Sequence, residues 1–258
     1  MLYGAIIGDI VGSRFEHCAR QNRNQLEFFH DLDRFTDDTI MTLAIYEAIE
    51  EIIEMHCDEE ESLSIIIHYM KEWGKQYPNV GYGASFRKWL EEDYPKPYNS
   101  WGNGSAMRVS AIGHKFNSLE ETEYYAKLSA VVSHNHDEGI KGAVAIAGAI
   151  YLARTTHNKK VIKKYIKDLG YILKPNFIVR PKFTFDVSCQ GTIPVAIESF
   201  LESNSFEDAI RRAVSMGGDS DTLGAITGSI AEAYYGVPKT LINECRKYLN
   251  DDILRVVC

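Results

Sequence analysis

Apolar residues recur along most of this chain at intervals of three and four, the period that gathers them on one face of a helix. The segments DDTIMTLAIYEAIEEIIEM, SLSIIIHYMKEWGKQY, TEYYAKLSAVVSH, IKGAVAIAGAIYLAR, TIPVAIESFLES, FEDAIRRAVSM, TLGAITGSIAEAYYG and LINECRKYL all carry it, and a first helix is predicted around Gly4, Gly8 and Gly12. Strand-like alternation is scarce; its best instance, NFIVRPKFTFDV, is weakened by Pro181. The pattern predicts an all-α fold, a compact bundle of many helices. No linker, repeat or low-complexity tract divides it, so one domain is expected over residues 1–258. The stretch from 155 to 190 is the least regular and reads as a surface excursion.

Small residues crowd three of these helices: Gly4, Gly8 and Gly12; Ala143, Ala145, Ala147 and Gly148; Gly224, Ala225, Gly228 and Ala231. Glycine costs a helix about 1 kcal/mol relative to alanine, so its repetition predicts that a backbone or a ligand comes close there.

With 258 residues, 45% hydrophobic and 25% charged, the chain can bury a large core. Its net charge of -8 argues against nonspecific binding to nucleic acid or acidic membranes, and the basic run HNKKVIKKYIK reads as a solvated helix face. The longest apolar run, GAVAIAGAIYLA, is shorter than the roughly 20 residues that cross a bilayer. The opening MLYGAIIGDIVGS has no basic region and meets Asp9 early, so neither export nor a membrane partner is expected. The five cysteines (Cys18, Cys57, Cys189, Cys245 and Cys258) show no CxxC or histidine-paired spacing. Neither a disulfide framework nor a zinc site is signalled, and a cytoplasmic location is expected.

Five short stretches carry candidate chemistry. Thr36, Asp37 and Asp38 open a long amphipathic helix, and Asp219, Ser220, Asp221 and Thr222 open another after two glycines. Capping and the helix dipole explain each cluster taken alone. Together they form a set of hard oxygen ligands suited to Mg²⁺ or a similar cation, without which the gathered carboxylates repel and their pKa values rise. SWGNGSAMRV places Gly102 and Gly104 around Asn103 before a helix-like pattern; such turns present N–H groups to phosphate, and Trp101 offers a stacking face or is a buried packing residue. His134, in SHNHDEG, either complements a helix C-terminus or reaches a phosphate or ribose. In GDIVGSRFEH, Glu16 is a better acid–base candidate than Asp9, although from this stretch alone a surface glutamate is the favoured reading.

In order, GAIIGDIVGSRFE, FTDDTIMTLA, GNGSAMRVSAIG, SHNHDEGIKGAVAIAGAI and GGDSDTLGAITGSIAEAYYG closely resemble the ADP-ribosylglycohydrolase family, from about residue 3 to residue 238. The resemblance implies an orthogonally packed all-α bundle with two Mg²⁺ or Mn²⁺ ions at the base of an ADP-ribose cleft. It implies metal ligands at Thr36, Asp37, Asp38, Asp219, Asp221 and Thr222, and phosphate and adenosine contacts at Ser100, Trp101, Gly102, Asn103 and Gly104 with His134 nearby. Glu16 matches a flap glutamate of the family and is the preferred acid–base residue, with Asp37 or Asp38 competing. The implied activity is hydrolysis at C1 of the distal ribose of an ADP-ribosylated protein or other ADP-ribosyl conjugate, releasing ADP-ribose; nucleic acid enters only as one such modified acceptor. A noncatalytic ADP-ribose-binding protein and a metal-dependent phosphoester hydrolase are the competing readings.

Overall fold

A computed structural model describes residues 2–179 and 182–257, so Pro181 and Cys258 lie outside the described residues. The N-terminal third builds α1 (Tyr3–Ser13), α2 (Asp37–Met55), α3 (Glu59–Gln76) and α4 (Ala84–Glu91). Short α5 (Gly104–Met107) and α6 (Ser110–Lys115) lead to α7 (Leu119–Val131) and the long α8 (Asp137–Thr156). After α9 (Lys159–Asp168) and the single turn α10 (Asn176–Val179) come α11 (Cys189–Leu201), α12 (Phe206–Val214) and α13 (Ser220–Tyr235). The chain closes with α14 (Lys239–Cys245), a 3₁₀ turn and α15 (Asp251–Val257). The fold is all-α, with no strand among the described residues.

The starts of α3, α7, α8 and α11 lie three residues earlier than the apolar period alone places them, whereas α2 and α12 start where it does. Periodicity reads only the buried face, whereas first turns here are polar and capped. Asp58 begins α3 with a capping box: its side chain accepts from Glu61 N at 2.9 Å, and Glu61 Oε2 accepts from Asp58 N at 3.0 Å. Ser118, Ser188 and Ser205 cap α7, α11 and α12 in the same sense.

The centre of the molecule is the crossing of α1 and α13. All 11 residues of α1 are buried, and α13 packs against α1, α8, α11 and α12. The glycine pattern expected to permit close approach does so between backbones. A Cβ on Gly8 would stand 2.0 Å from the Gly224 carbonyl oxygen, and one on Gly4 2.3 Å from that of Gly228. At the site end, Ser220 Oγ donates to the Gly12 carbonyl at 2.9 Å. This crossing sets α1, which carries Asp9, against the start of α13, which carries Asp221.

Two expectations are corrected. The strand candidate at 176–187 instead begins as α10, where Asn176 Nδ2 donates to Ser199 Oγ at 2.8 Å and Glu202 accepts from Asn176 N at 2.9 Å. Its only ladder-like contact among the described residues lies just beyond, an isolated bridge between Gly102 and Ser188. Nor is 155–190 merely a surface excursion: α9 buries Ile162 and Ile166, while Phe185 and Val187 line the main cleft. The basic run does form a helix, with Lys160, Lys164 and Lys167 exposed as expected, while Lys159 Nζ instead donates to the Leu201 carbonyl at 3.1 Å and Lys163 Nζ to Glu198 Oε1 at 3.1 Å.

Candidate active site

The two acidic clusters meet. Thr222 Oγ1 donates to Asp38 Oδ2 at 3.2 Å, so the N-termini of α2 and α13 converge. Their positive dipole ends offset part of the repulsion among the carboxylates gathered there. Ligand oxygens of Asp9, Asp38 and Asp221 lie within 4.8 Å of one another, as do those of Glu16, Asp219 and Asp221. Asp221 belongs to both groups.

The capping explanation holds for one cluster and fails for the other. Thr36 does cap α2, its Oγ1 accepting from Asp38 N at 3.3 Å. Asp219 occupies the N-cap of α13 without a side-chain cap bond; its Oδ2 accepts from Asn103 Nδ2 at 2.6 Å instead. Asn103 Nδ2 also donates to Thr192 Oγ1 at 2.9 Å, and its backbone N–H to the Val187 carbonyl at 2.8 Å. Asn103 is therefore a brace between the glycine loop and the acids, with its donors already engaged.

Asp9 is the residue the motif reading passes over in favour of Glu16. Its carboxylate accepts from Thr36 N at 2.8 Å, Thr36 Oγ1 at 2.7 Å, Thr39 N at 3.1 Å and Thr39 Oγ1 at 2.5 Å. It thus pins the first turn of α2, and with it Asp37 and Asp38, to α1. The signal in the sequence is a lone carboxylate inside an otherwise apolar helix, a position that burial permits only to a fully hydrogen-bonded or functional acid.

Gly217 and Gly218 explain how Glu16 reaches the cluster. Both have φ of 73°, a conformation L side chains rarely adopt. There Gly218 N donates to the Cys18 carbonyl at 3.1 Å, and His17 N donates to the Gly218 carbonyl at 2.8 Å. This paired turn clamps the loop after α1 over Asp219, while the His17 ring packs on Phe185 at 4.3 Å between centroids. Glu16 is half-buried at the mouth.

The acids form the floor of a cleft of about 540 Å³, within the range of small-molecule sites. Ser100, Trp101, Gly102, Asn103, Gly104 and His134 make one wall, and Phe185 and Val187 face the same space. Trp101 is 48% exposed, so it is no buried packing residue. His134 sits just past α7, yet burial first, and then the Arg108 cation, hold its pKa well below the usual histidine value. It is neutral, and so does not act as a charged helix C-cap. Thr222 lines the cleft, whereas Thr36 does not: it is buried behind the floor, its Oγ1 donating to Asp9 Oδ1 at 2.7 Å.

Burial raises the carboxyl pKa values here. Asp37 is pushed up to about 8 by desolvation and by the charges of Asp9, Asp219 and Glu16. Asp38 and Asp221 are raised well above the usual range, by desolvation first and then by their acidic neighbours. Asp9, despite its four donors, is raised to about 6 by desolvation. Among the described lining residues the one cation is Arg108, which is engaged elsewhere. Asp38 Oδ1 is buried with no hydrogen-bond partner. An uncompensated all-oxygen cluster with an orphaned carboxylate oxygen fits a hard divalent cation.

The ADP-ribosylglycohydrolase family profile matches residues 1–257. Human ADP-ribosylhydrolase ARH3 is 26% identical, aligning 98% of this chain with 90% of its own. The ADP-ribosylarginine hydrolase Tri1 of Pseudomonas putida is 24% identical over 92% of this chain and 70% of that protein. In fold, a solved structure described as an ADP-ribosylglycohydrolase-related protein complex superposes with a TM-score of 0.70, covering 99% of this chain and 93% of that one at 20% identity. With the family profile matched along nearly its whole length and the motif acids gathered on one cleft floor, the chain belongs to the ADP-ribosylglycohydrolase family.

Proposed function

We propose that this protein is a divalent-metal-dependent hydrolase that cleaves the bond at C1 of the distal ribose in an ADP-ribosyl conjugate and releases ADP-ribose. The observation that carries this reading is the convergence of Asp38, Asp219, Asp221 and Glu16 beneath a cleft walled by the glycine loop and Trp101. Family membership and the relatives' names, ADP-ribosylhydrolase and ADP-ribosylarginine hydrolase, support the same substrate class.

Asp38, Asp219 and Asp221, with Asp37, Thr36 and Thr222, would hold two Mg²⁺ or Mn²⁺ ions; two carboxylate groups sharing Asp221 support a pair rather than a single ion. Bound there, such ions orient hydroxyl groups and make water more acidic. Trp101 stacks the base, and the wall around Gly102 and Gly104 lets the diphosphate come close to backbone. As the C1 bond breaks, the sugar gains oxocarbenium character, which the acidic floor stabilises. Glu16 passes a proton to the leaving atom and accepts one from the water that adds to C1. Its place at the mouth, beside the floor acids, favours it over Asp37 and Asp38 for this role.

The acceptor is an ADP-ribosylated protein or a related conjugate. The described cysteines Cys18, Cys57, Cys189 and Cys245 are free thiols, which supports work in a reducing compartment such as the cytoplasm. No described helix is long and apolar enough to cross a membrane.

The test is incubation with arginine-linked and serine-linked ADP-ribosyl peptides, with and without Mg²⁺. Release of intact ADP-ribose only with the metal is expected, and the peptide consumed identifies the linkage. Tight ADP-ribose binding with no release from any conjugate overturns the enzyme reading, and release of AMP or phosphate shows a phosphoester hydrolase instead.

A further inference from the structure

Arg108 lies at the base of the glycine-loop wall and is 1% exposed. Its Nη2 donates to the Ser129 carbonyl at 2.6 Å and to Ser133 Oγ at 3.0 Å. Ser133 Oγ in turn stands 2.8 Å from His134 Nδ1. A guanidinium can only donate, so Ser133 Oγ accepts from it. The hydroxyl proton of Ser133, in a side chain with no exposure, then needs an acceptor. His134 Nδ1 is the one within reach among the described residues, provided that Nδ1 carries no proton.

From this geometry we infer that Arg108 and Ser133 are positioning residues that fix the tautomer of His134, so that Nε2–H projects as a neutral donor toward an acceptor oxygen of the diphosphate or ribose. The inference rests on the reading of the cleft as an ADP-ribose site. A protonated Nδ1 would strand the Ser133 hydroxyl proton in the interior. A doubly protonated ring would add a second buried cation beside Arg108, and burial already holds this histidine neutral. The proton therefore sits on Nε2. That nitrogen has no hydrogen-bond partner among the described residues, although His134 is only 5% exposed and lines the cleft.

The two loop glycines keep this edge clear. A Cβ on Gly104 would stand 3.1 Å from His134 Nε2, and one on Gly102 would stand 3.6 Å from it. Tyr98 flanks the ring at 5.6 Å between centroids. The wall beside the acids thus offers a donor whose polarity is set through Ser133 by the buried Arg108 cation. A free imidazole exchanges tautomers readily and would present an acceptor part of the time; the Ser133 bond removes that state.

Long-range proton–nitrogen spectra of the full chain carrying ¹⁵N-labelled histidine test this directly. In the ligand-free protein Nδ1 of His134 is expected bare and Nε2 protonated; a protonated Nδ1 overturns the inference without any variant. Ser133→Ala is expected to give mixed tautomers and to weaken ADP-ribose binding about tenfold, the loss of roughly one hydrogen bond. Ser133→Thr, which keeps the hydroxyl, is expected to restore both. An unchanged tautomer in Ser133→Ala overturns the role of the serine. If ADP-ribose binds the wild type and leaves the His134 Nε2 signal unmoved, the inference falls and the functional reading stands. If ADP-ribose does not bind the wild type at all, the functional reading falls and takes the ligand half with it, while the tautomer is still read in the free protein.

Discussion

Thr222 donates its hydroxyl to Asp38 across 3.2 Å, joining side chains 184 positions apart in the chain. That bond ties the first turn of α13 to the first turn of α2. It leaves the other oxygen of Asp38 buried and unpaired, beside Asp221. A site built this way is electrostatically incomplete by itself, and on the proposed reading a divalent cation completes it.

Asp221→Asn removes one member shared by both carboxylate groups. Without metal the variant is expected to be more stable than the wild type by about 1 kcal/mol, since burial and neighbouring acids disfavour this charge. In Mg²⁺ the order reverses. The wild type is expected to gain about 5 °C or more in Tm at saturating metal, and the variant little, with hydrolysis lowered at least about a hundredfold. Thermal scans with EDTA and with Mg²⁺ check this, and equal metal shifts in the two proteins would contradict the assignment of Asp221 as a ligand.

Glu16→Gln keeps size and hydrogen bonding but cannot exchange a proton. Because Glu16 is half-buried on a clamped loop rather than in the core, the fold is expected to be unchanged by circular dichroism. The rate is expected to fall about a hundredfold to ten-thousandfold, the usual contribution of general acid–base catalysis. Full turnover by the variant moves the role to Asp37 or Asp38.

Gly8→Ala tests the central crossing. Helix propensity alone favours alanine by about 1 kcal/mol. The new Cβ, however, would meet the Gly224 carbonyl oxygen at 2.0 Å, a backbone atom that can yield only if α13 moves. A net loss of about 3 kcal/mol is expected, with lower activity, since α1 and α13 carry Asp9 and Asp221. Urea unfolding measures it; a stabilised variant would mean that the helices are not this close.

His114 supplies one pH dependence of stability, separate from that of the cleft carboxyls. Burial, with Arg154 nearby, lowers its pKa from 6.5 to about 4, and its Nε2 is buried without a partner. The folded state therefore favours the neutral ring. Its stabilising effect is complete above the unfolded pKa near 6.5 and is lost as pH falls through the folded value near 4. Between those limits the wild type is expected to lose up to about 3 kcal/mol that His114→Gln does not lose. Urea titrations of both proteins at pH 7.5 and pH 4.5 give the comparison, and parallel losses would show that His114 is not buried as a neutral ring.

Much of the fold was legible in the sequence because its cause is local. The 3.6-residue period of α2, α8 and α13, the cap at Thr36, and the glycine pattern of α1 and α13 are all written in neighbouring residues. The motif acids and the Trp101 loop were legible too, through their resemblance to a family. The segment at 176–187 was misread as a strand because its alternation is local, whereas what it packs against, Ser199 and the glycine loop, is not.

Only the tertiary structure decided how the pieces meet. The sequence by itself determined which side chains can ligate, cap or stack, since those are properties of residue type and near neighbours. The crossing of α1 on α13 determined that Asp9 holds the start of α2 and that the turn at Gly217 and Gly218 clamps Glu16 over Asp219, while the packing of the segment after α5 on the end of α7 brings Arg108 to His134 through Ser133. Those contacts join residues distant in sequence or depend on side-chain direction, so no local pattern encodes them. They exist because burying the apolar faces carries polar groups inside, where each is stable only beside a partner that the packing brings to it.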